Sequence, residues 1–365
     1  MNVFYVMDYI SDVACDSEAI DACLGKAKET VGETQIVFSG KDFFIDRAIC
    51  IPSDTEILID GCSVQQRNYV YDNIFRGDNL LIDDSNPYGA PLDVLPLKNI
   101  KITGKNGARL IGPSKNRVGY HKVLKEYQPM VGDFWGYRTH MISLSFCEGF
   151  EISGLSLSQT MGWAVSFDAC SEGSVHDIDI RSDVKNGDGI DFRSGCHHCK
   201  AENITGFTSD DTVACTALSR GSRFEQYPAK NYLVPSEPYN ASHTEIDGSI
   251  HDIEIKNIKT GGYHHGAICL SAWGNKVYNI SISDFHETDE GKRESTVKIY
   301  TGYGDEYKNG DIHHVKLENI HSRIAKYAVQ VMCDVEHLEA ENIFLNNDNK
   351  SEQKSASLPR KAAEK

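Results

Sequence analysis

The chain has 365 residues, 40% of them hydrophobic and 25% charged, a balance that excludes a disordered or collagen-like protein. Its formal net charge of -16 leaves no basic footprint for nucleic acid or an anionic membrane surface. No apolar run approaches the length of a bilayer span.

From the start, Met1 to Asp8 shows no basic stretch followed by an apolar run. The expectation is therefore a cytoplasmic protein, or a secreted one if a leader has been removed. The eleven cysteines are scattered singly apart from Cys196 and Cys199, which is no disulfide framework; they read as small apolar core residues. Residues Asp16 to Leu24 form an amphipathic run with Asp16 as the expected N-cap. We read about residues 8–30 as a cap that closes the first coil of a repeat structure, because an open end exposes strand edges and core.

From there on, short units of alternating apolar residues recur. They include Asn99–Ile102, Phe150–Ile152 with Leu155 and Leu157, Val175–Ile180, Ile250–Ile255, Val277–Ile282, Ile312–Leu317 and Leu338–Ile343. The spacing is about 25 residues or a multiple of it, in the range of solenoid periods. Period-two alternation makes each unit a strand, and Gly, Asn and Asp punctuate the units. The expected fold is all-β: a single-stranded parallel β-helix spanning residues 1–345, followed by a polar tail at 346–365.

Two segments interrupt the period, Tyr120 to Tyr137 and Leu218 to Gly248, the latter with Pro228, Pro235 and Pro238. Both are too long for coil turns and are expected to project as loops from one side, where function concentrates. Between and after them lie three motifs: Asn186-Gly187-Asp188-Gly189, Ser209-Asp210-Asp211-Thr212 and His264-His265-Gly266. Asp188 and Asp210 are 22 residues apart, close to one coil, so they are expected side by side on neighbouring strands. Two acids on one face are the minimum apparatus for cleaving a glycosidic bond, and about 6.5–9.5 Å between acid and base admits the water that inversion needs. Crowded carboxylates also resist full ionisation, which keeps a proton on one of them near neutral pH. The bland reading is turn chemistry, which Asn-Gly-Asp-Gly suits in any protein.

In order and rhythm these motifs resemble the polygalacturonase-like glycoside hydrolases (family 28), which have the pectin-lyase-like right-handed parallel β-helix. The family pattern runs Asn-Thr-Asp-Gly, Asp-Asp, Gly-His-Gly and Arg-Ile-Lys; the last corresponds here to Lys298-Ile299-Tyr300. The resemblance implies inverting hydrolysis of a pectin-type or related oligosaccharide, with no metal or other cofactor. Asp210 would be the general acid, Asp188 and Asp211 would hold and deprotonate the water, and His265 would tune Asp210. Asn186 and His264 would touch the substrate. Where the family binds a substrate carboxylate with Arg and Lys, this chain has Lys298 and Tyr300, so a neutral or differently substituted sugar becomes a candidate. The long 218–248 segment would close one end of the cleft and enforce exo-action.

Arg138 and Arg193 are expected on the cleft wall, and Tyr263, Trp273 and Tyr303 as sugar-stacking platforms. Cys196-His197-His198-Cys199 offers a C-x-x-C pair, but no second pair follows, so a coil corner with inward cysteines is the simpler reading. His251, His313 and His314 are expected to be solvent-facing strand residues. Two rivals stay open: a polysaccharide lyase or epimerase on the same scaffold, which would need more cations, and a non-catalytic carbohydrate-binding β-helix.

Overall fold

The computed structural model describes residues 1–10, 15–83, 85–86, 88–218, 234–238, 243, 247–302 and 311–345. The 346–365 tail, Tyr303 and most of the 218–248 insertion lie outside the described residues.

Alternating Ile and Val strands stack in parallel and in register. Ile152, Val175, Ala201, Ile255, Ile282 and Leu317 form one continuous buried column. Each fully buried aliphatic side chain contributes roughly 1.5–3 kcal/mol, and the column repeats without a break along the molecule. Among the described residues two parallel sheets run its length, one of fifteen strands and one of nine. The result is a right-handed parallel β-helix.

The long strands of the larger sheet bend because single residues adopt the left-handed conformation. One such column is Asp177, Asn203, Asn257, Asp284, Asn319 and Asn342, with φ between 53° and 56°. Asn and Asp tolerate this conformation best after Gly. Their side chains also bond from coil to coil, Asn203 Nδ2 donating to Asp177 Oδ1 (2.9 Å) and Asn257 Nδ2 to Asn203 Oδ1 (2.6 Å). The Asn and Asp residues that look like loop punctuation are thus the corners of the coil.

The helix Asp16–Lys28 packs against the core, burying Ala19, Ile20, Cys23, Leu24 and Ala27. Two details differ from expectation. The strand Asn2–Tyr5 precedes the helix and pairs with Thr34–Ser39, so the sheet begins before the cap. The N-cap residue is Cys15, and Asp16 instead anchors the helix to the next strand, accepting from Lys41 Nζ (2.7 Å) and the Phe44 amide (2.8 Å).

All eleven cysteines are free; Cys15 and Cys50 are partly exposed and the other nine buried. Cys196 and Cys199 point inward and their thiols reach backbone carbonyls, as the coil-corner reading expects. The 120–137 segment is more structured than a loop. Strands Val118–His121 and Glu126–Pro129 form an antiparallel hairpin, and Trp135 and Tyr137 beyond it are fully buried.

Candidate active site

The nine-stranded sheet carries the motif residues. Its strands Ile190–Arg193, Val213–Leu218, His265–Ala272 and Arg293–Thr301 are in register, with Ile190, Val213, Ala267 and Val297 aligned. Asp188, Asp211 and His265 each stand two residues before an aligned position, so they share one column. The backbone bonds continue that register, Gly189 N–H donating to Asp211 O (2.8 Å) and Thr212 N–H to His265 O (3.2 Å). The neighbour of Asp188 is therefore Asp211, where the 22-residue spacing pointed to Asp210. Asp210 lies one residue earlier, beside His264, whose Nδ1 is 3.9 Å from its Oδ1.

Coils approach too closely here for side chains at two positions. A Cβ on Gly189 would lie 2.4 Å from Thr212 O, and one on Gly266 would lie 2.5 Å from Thr296 O. These glycines let the acids draw together. One oxygen from each of Asp188, Asp210 and Asp211 falls within 4.8 Å of the others. That is tighter than the acid–base separation expected from sequence.

Burial and mutual repulsion set the proton affinities. Asp210 is pushed up to about 7, first by burial and then by the Asp211 carboxylate, with His265 opposing. Asp188 is held well above the usual carboxylate range by burial and by Asp191, Asp210 and Asp211. Asp211 is bonded to His265, Nδ1 to Oδ1 at 2.7 Å. His265 Nε2 faces Glu294 (3.3 Å) and Lys298 Nζ (3.2 Å), and Lys298 is itself 3.4 Å from Glu294.

The remaining sequence candidates divide. Asn186 sits on the turn before Asp188 in the left-handed conformation, its Oδ1 without a donor and directed at Gly132. His264 is also left-handed and exposed. Tyr300 lies under Lys298, ring to Nζ 5.5 Å, and packs with Trp273 on a small outward apolar cluster of Ala214, Leu218, Ile268, Leu270 and Ala272. Arg193 is not presented to the open side. It is buried, ion-paired through Nε with Glu237 (2.8 Å), and stacked over Trp163 (4.5 Å). Arg138 pairs with Asp72 (2.7 Å), and Tyr263 is exposed, edge-on to Phe207.

Both period-breaking segments border this column. Asp133, from the first, adds to the upward push on Asp210. Val234 to Glu237, from the second, dock on Gly136, Tyr137 and Arg193.

Several residues around the acids were not anticipated. Asp191 is fully buried in the strand after Asp188 and shifted well above the usual range by burial; its nearest cation is Arg193 at 3.9 Å. Its signal was available, three residues after Asp188, but it looked like an ordinary alternating strand position. Arg293 is buried inside the coil behind Asp211, bonded to Thr212 Oγ1 (2.7 Å) and Gly261 O (2.7 Å), and lowered to about 10 by burial. His140 is buried against Trp163 at 4.4 Å with both ring nitrogens unpartnered, and lowered to about 3 by burial and by Arg193. Glu294 and Glu237 neutralise the two outward cations. Glu294 stands four residues before Lys298 on the same face of one strand, a spacing visible in the sequence, whereas nothing local pairs Glu237 with Arg193.

Chemically, the cluster sets a carboxyl pushed up to about 7 beside two further carboxyl groups, a set suited to acid–base work. The three carboxylates are also oxygen donors of the kind a hard cation takes. A second cluster of potential metal ligands, His198, His251 and Asp252, lies at another corner of the coil.

No protein-family model matches the chain, and no curated protein matches it in sequence. Solved structures match it in shape. An exopolygalacturonase from Thermotoga maritima aligns with a TM-score of 0.55 at 13% identity, over 90% of this chain and 83% of its own. A tailspike protein of an E. coli bacteriophage, crystallised with a hexasaccharide, aligns at 0.60 and 11% identity, over 92% and 56%. The family GH82 iota-carrageenase from A. fortis aligns at 0.53 and 13%, over 82% and 58%. At such identities the likeness shows the fold: the chain is a right-handed parallel β-helix of the kind these three proteins share.

Proposed function

We propose that the protein is a glycoside hydrolase whose acid–base machinery is Asp188, Asp210 and Asp211, tuned by His265. The observation that carries this reading is the cluster: Asp188, Asp210 and Asp211 with one oxygen of each within 4.8 Å of the others, Asp210 pushed up to about 7. A structural or purely binding surface has no need of clustered acids that repel one another. The similarity in fold to an exopolygalacturonase and an iota-carrageenase supports the scaffold but not the residue roles.

In the proposed reaction Asp210 donates its proton to the leaving glycosidic oxygen. Asp188 and Asp211 hold a water between them, and Asp211 takes one of its protons as the water attacks the anomeric carbon. His265 keeps Asp211 oriented through the 2.7 Å contact. One oxygen of Asp188 has no hydrogen-bond donor, which supports a water-holding role and hence inversion. The second reading is retention, favoured by the short spacing, since inverting pairs usually stand about 6.5–9.5 Å apart and retaining pairs about 5–5.5 Å. The first-formed product anomer, read by proton NMR, separates the two.

The substrate sugar is proposed to be neutral at the reacting residue. Lys298 faces Glu294, Arg193 is buried with Glu237, and Arg293 is turned into the coil. Among the described residues, none of these three cations stands open to a uronate carboxylate, which would meet Asp188, Asp210, Asp211 and Glu294 there. Closure of the cleft by the second insertion, and exo-action with it, belongs to the same proposal; the docking of Val234 to Glu237 beside the column supports it.

The test is reducing-end release from a panel of neutral and uronate-containing oligosaccharides. Release from neutral members supports the whole proposal. Release from uronates alone removes the neutral-sugar part. An unsaturated product absorbing in the ultraviolet would instead indicate lyase chemistry and remove the hydrolase.

A further inference from the structure

Six of the fourteen histidines gather along one edge of the coil, at the corner that opens the larger sheet. His197, His251, Tyr278 and His313 occupy one register column, and their rings stack at 5.0, 4.7 and 4.8 Å. The adjacent column, left-handed throughout, holds His198, Asp252, His314 and His337. The coil repeat does not require histidine at these positions, because Ser171, Tyr278 and Glu336 stand in the first column and Glu172 and Asn279 in the second.

We propose that His198, His251 and Asp252 form a binding site for a divalent transition-metal ion, zinc above all. This proposal is independent of the hydrolase reading. Asp252 Oδ2 lies 2.7 Å from His251 Nδ1 and 3.5 Å from His198 Nε2, and the three ligand atoms fall within 4.8 Å of one another. Ligands on a zinc at ~2.0–2.2 Å stand about 3–4 Å apart, so a small rotation of the half-exposed His198 ring completes the set. The His251 proton then resides on Nε2, leaving Nδ1 free to bind.

The surroundings hold each ligand in place. Asn279 Nδ2 donates to the other oxygen of Asp252 (3.0 Å), Glu172 lies 3.5 Å from His198 Nδ1, and His251 is stacked between His197 and Tyr278. Carboxylate and amide partners of this kind orient metal ligands and raise their basicity. Two imidazoles and one carboxylate suit zinc and its neighbours in the first transition row, whereas calcium and magnesium demand an all-oxygen set.

The position gives the site a purpose. His198 and His251 belong to successive coils, yet the 218–248 insertion lies between them in sequence. An ion bound by both would staple the two coils from which that insertion emerges.

The experiment is zinc titration of the full, metal-stripped chain by calorimetry, with thermal unfolding followed in parallel. The expected result is one tightly bound equivalent and a raised Tm. His198→Ala and His251→Ala should each weaken binding at least about tenfold, while His286→Ala, from the His286–His321 pair elsewhere, leaves it unchanged. Cobalt substitution of the wild type should give visible bands of a low-coordinate nitrogen–oxygen site, a readout that needs no variant to fold. Absence of binding would overturn the proposal. So would binding that survives both alanine variants, or that is lost only on changing His313, His314 or His337.

Discussion

In Asp210, the proposed proton donor, burial sets the proton affinity. Its carboxyl is pushed up to about 7 because ionising it means placing a charge in a buried site beside Asp211. As the proton donor it must be protonated, so kcat/KM should fall as pH rises through about 7; a profile flat from pH 5 to 9 would remove Asp210 from that role. The same shift has a cost in stability. A carboxyl whose folded pKa lies above its unfolded value, about 3.9, binds more protons in the folded state, so stability declines as pH rises from about 4 to about 7. Asp210→Asn should therefore be more stable than wild type at pH 8, by about 1–3 kcal/mol once solvent screening is allowed for, and match it near pH 4. Asp188, shifted in the same direction, should respond alike on change to Asn. Removing a carboxylate that merely capped a turn would lower stability instead.

At the scale of elements, the site depends on contacts between segments far apart in sequence. The strand Ile190–Arg193 meets the second insertion through the buried Arg193–Glu237 pair. Breaking a buried pair strands a charge, so Glu237→Ala should cost about 3 kcal/mol, measured by chemical denaturation. It should also lower activity by freeing the insertion that borders the acids. Gly266 lets the His265 strand approach its neighbour: a Cβ there would stand 2.5 Å from Thr296 O and 2.6 Å from Phe285 Cζ. Gly266→Ala should destabilise by about 1–3 kcal/mol and displace His265, lowering kcat more than it raises KM. Unchanged kinetics in a folded Gly266→Ala protein would show that the His265 position is not critical.

The whole molecule was readable in outline because a solenoid repeats its signal. Period-two Ile and Val units and the order of the three motifs are local features, and they pointed to the strands and to a gathering of the three acids, while the Asn and Asp residues read as punctuation rather than as coil corners. Pairings across the fold were less legible. Arg293 sits between Lys292 and Glu294 and looks like a surface cation, yet alternation turns it inward behind Asp211. Asp191 and Arg193 alternate like ordinary strand residues, and only a distant segment decides that their outward face is buried. The hairpin at Val118–Pro129 escaped because its aromatics and lysines read as loop composition. The one-residue offset of Asp210 from Asp188 reflects coil register, which hydrogen bonds set and residue counting only approximates. At this scale the net charge of -16 also bears on substrate. Turnover of a neutral oligosaccharide should change less than about twofold between low and high salt, because no long-range attraction is there to be screened.

The most direct measurement compares wild type, Asp188→Asn and Asp210→Asn on whichever oligosaccharide the wild type cleaves. Loss of general acid or base catalysis should lower kcat by about 10²–10⁴-fold, with circular dichroism and thermal unfolding showing folded proteins. If either variant keeps near wild-type turnover, the acid column is not the seat of the chemistry, and the carboxylates would be the corner residues of a binding solenoid.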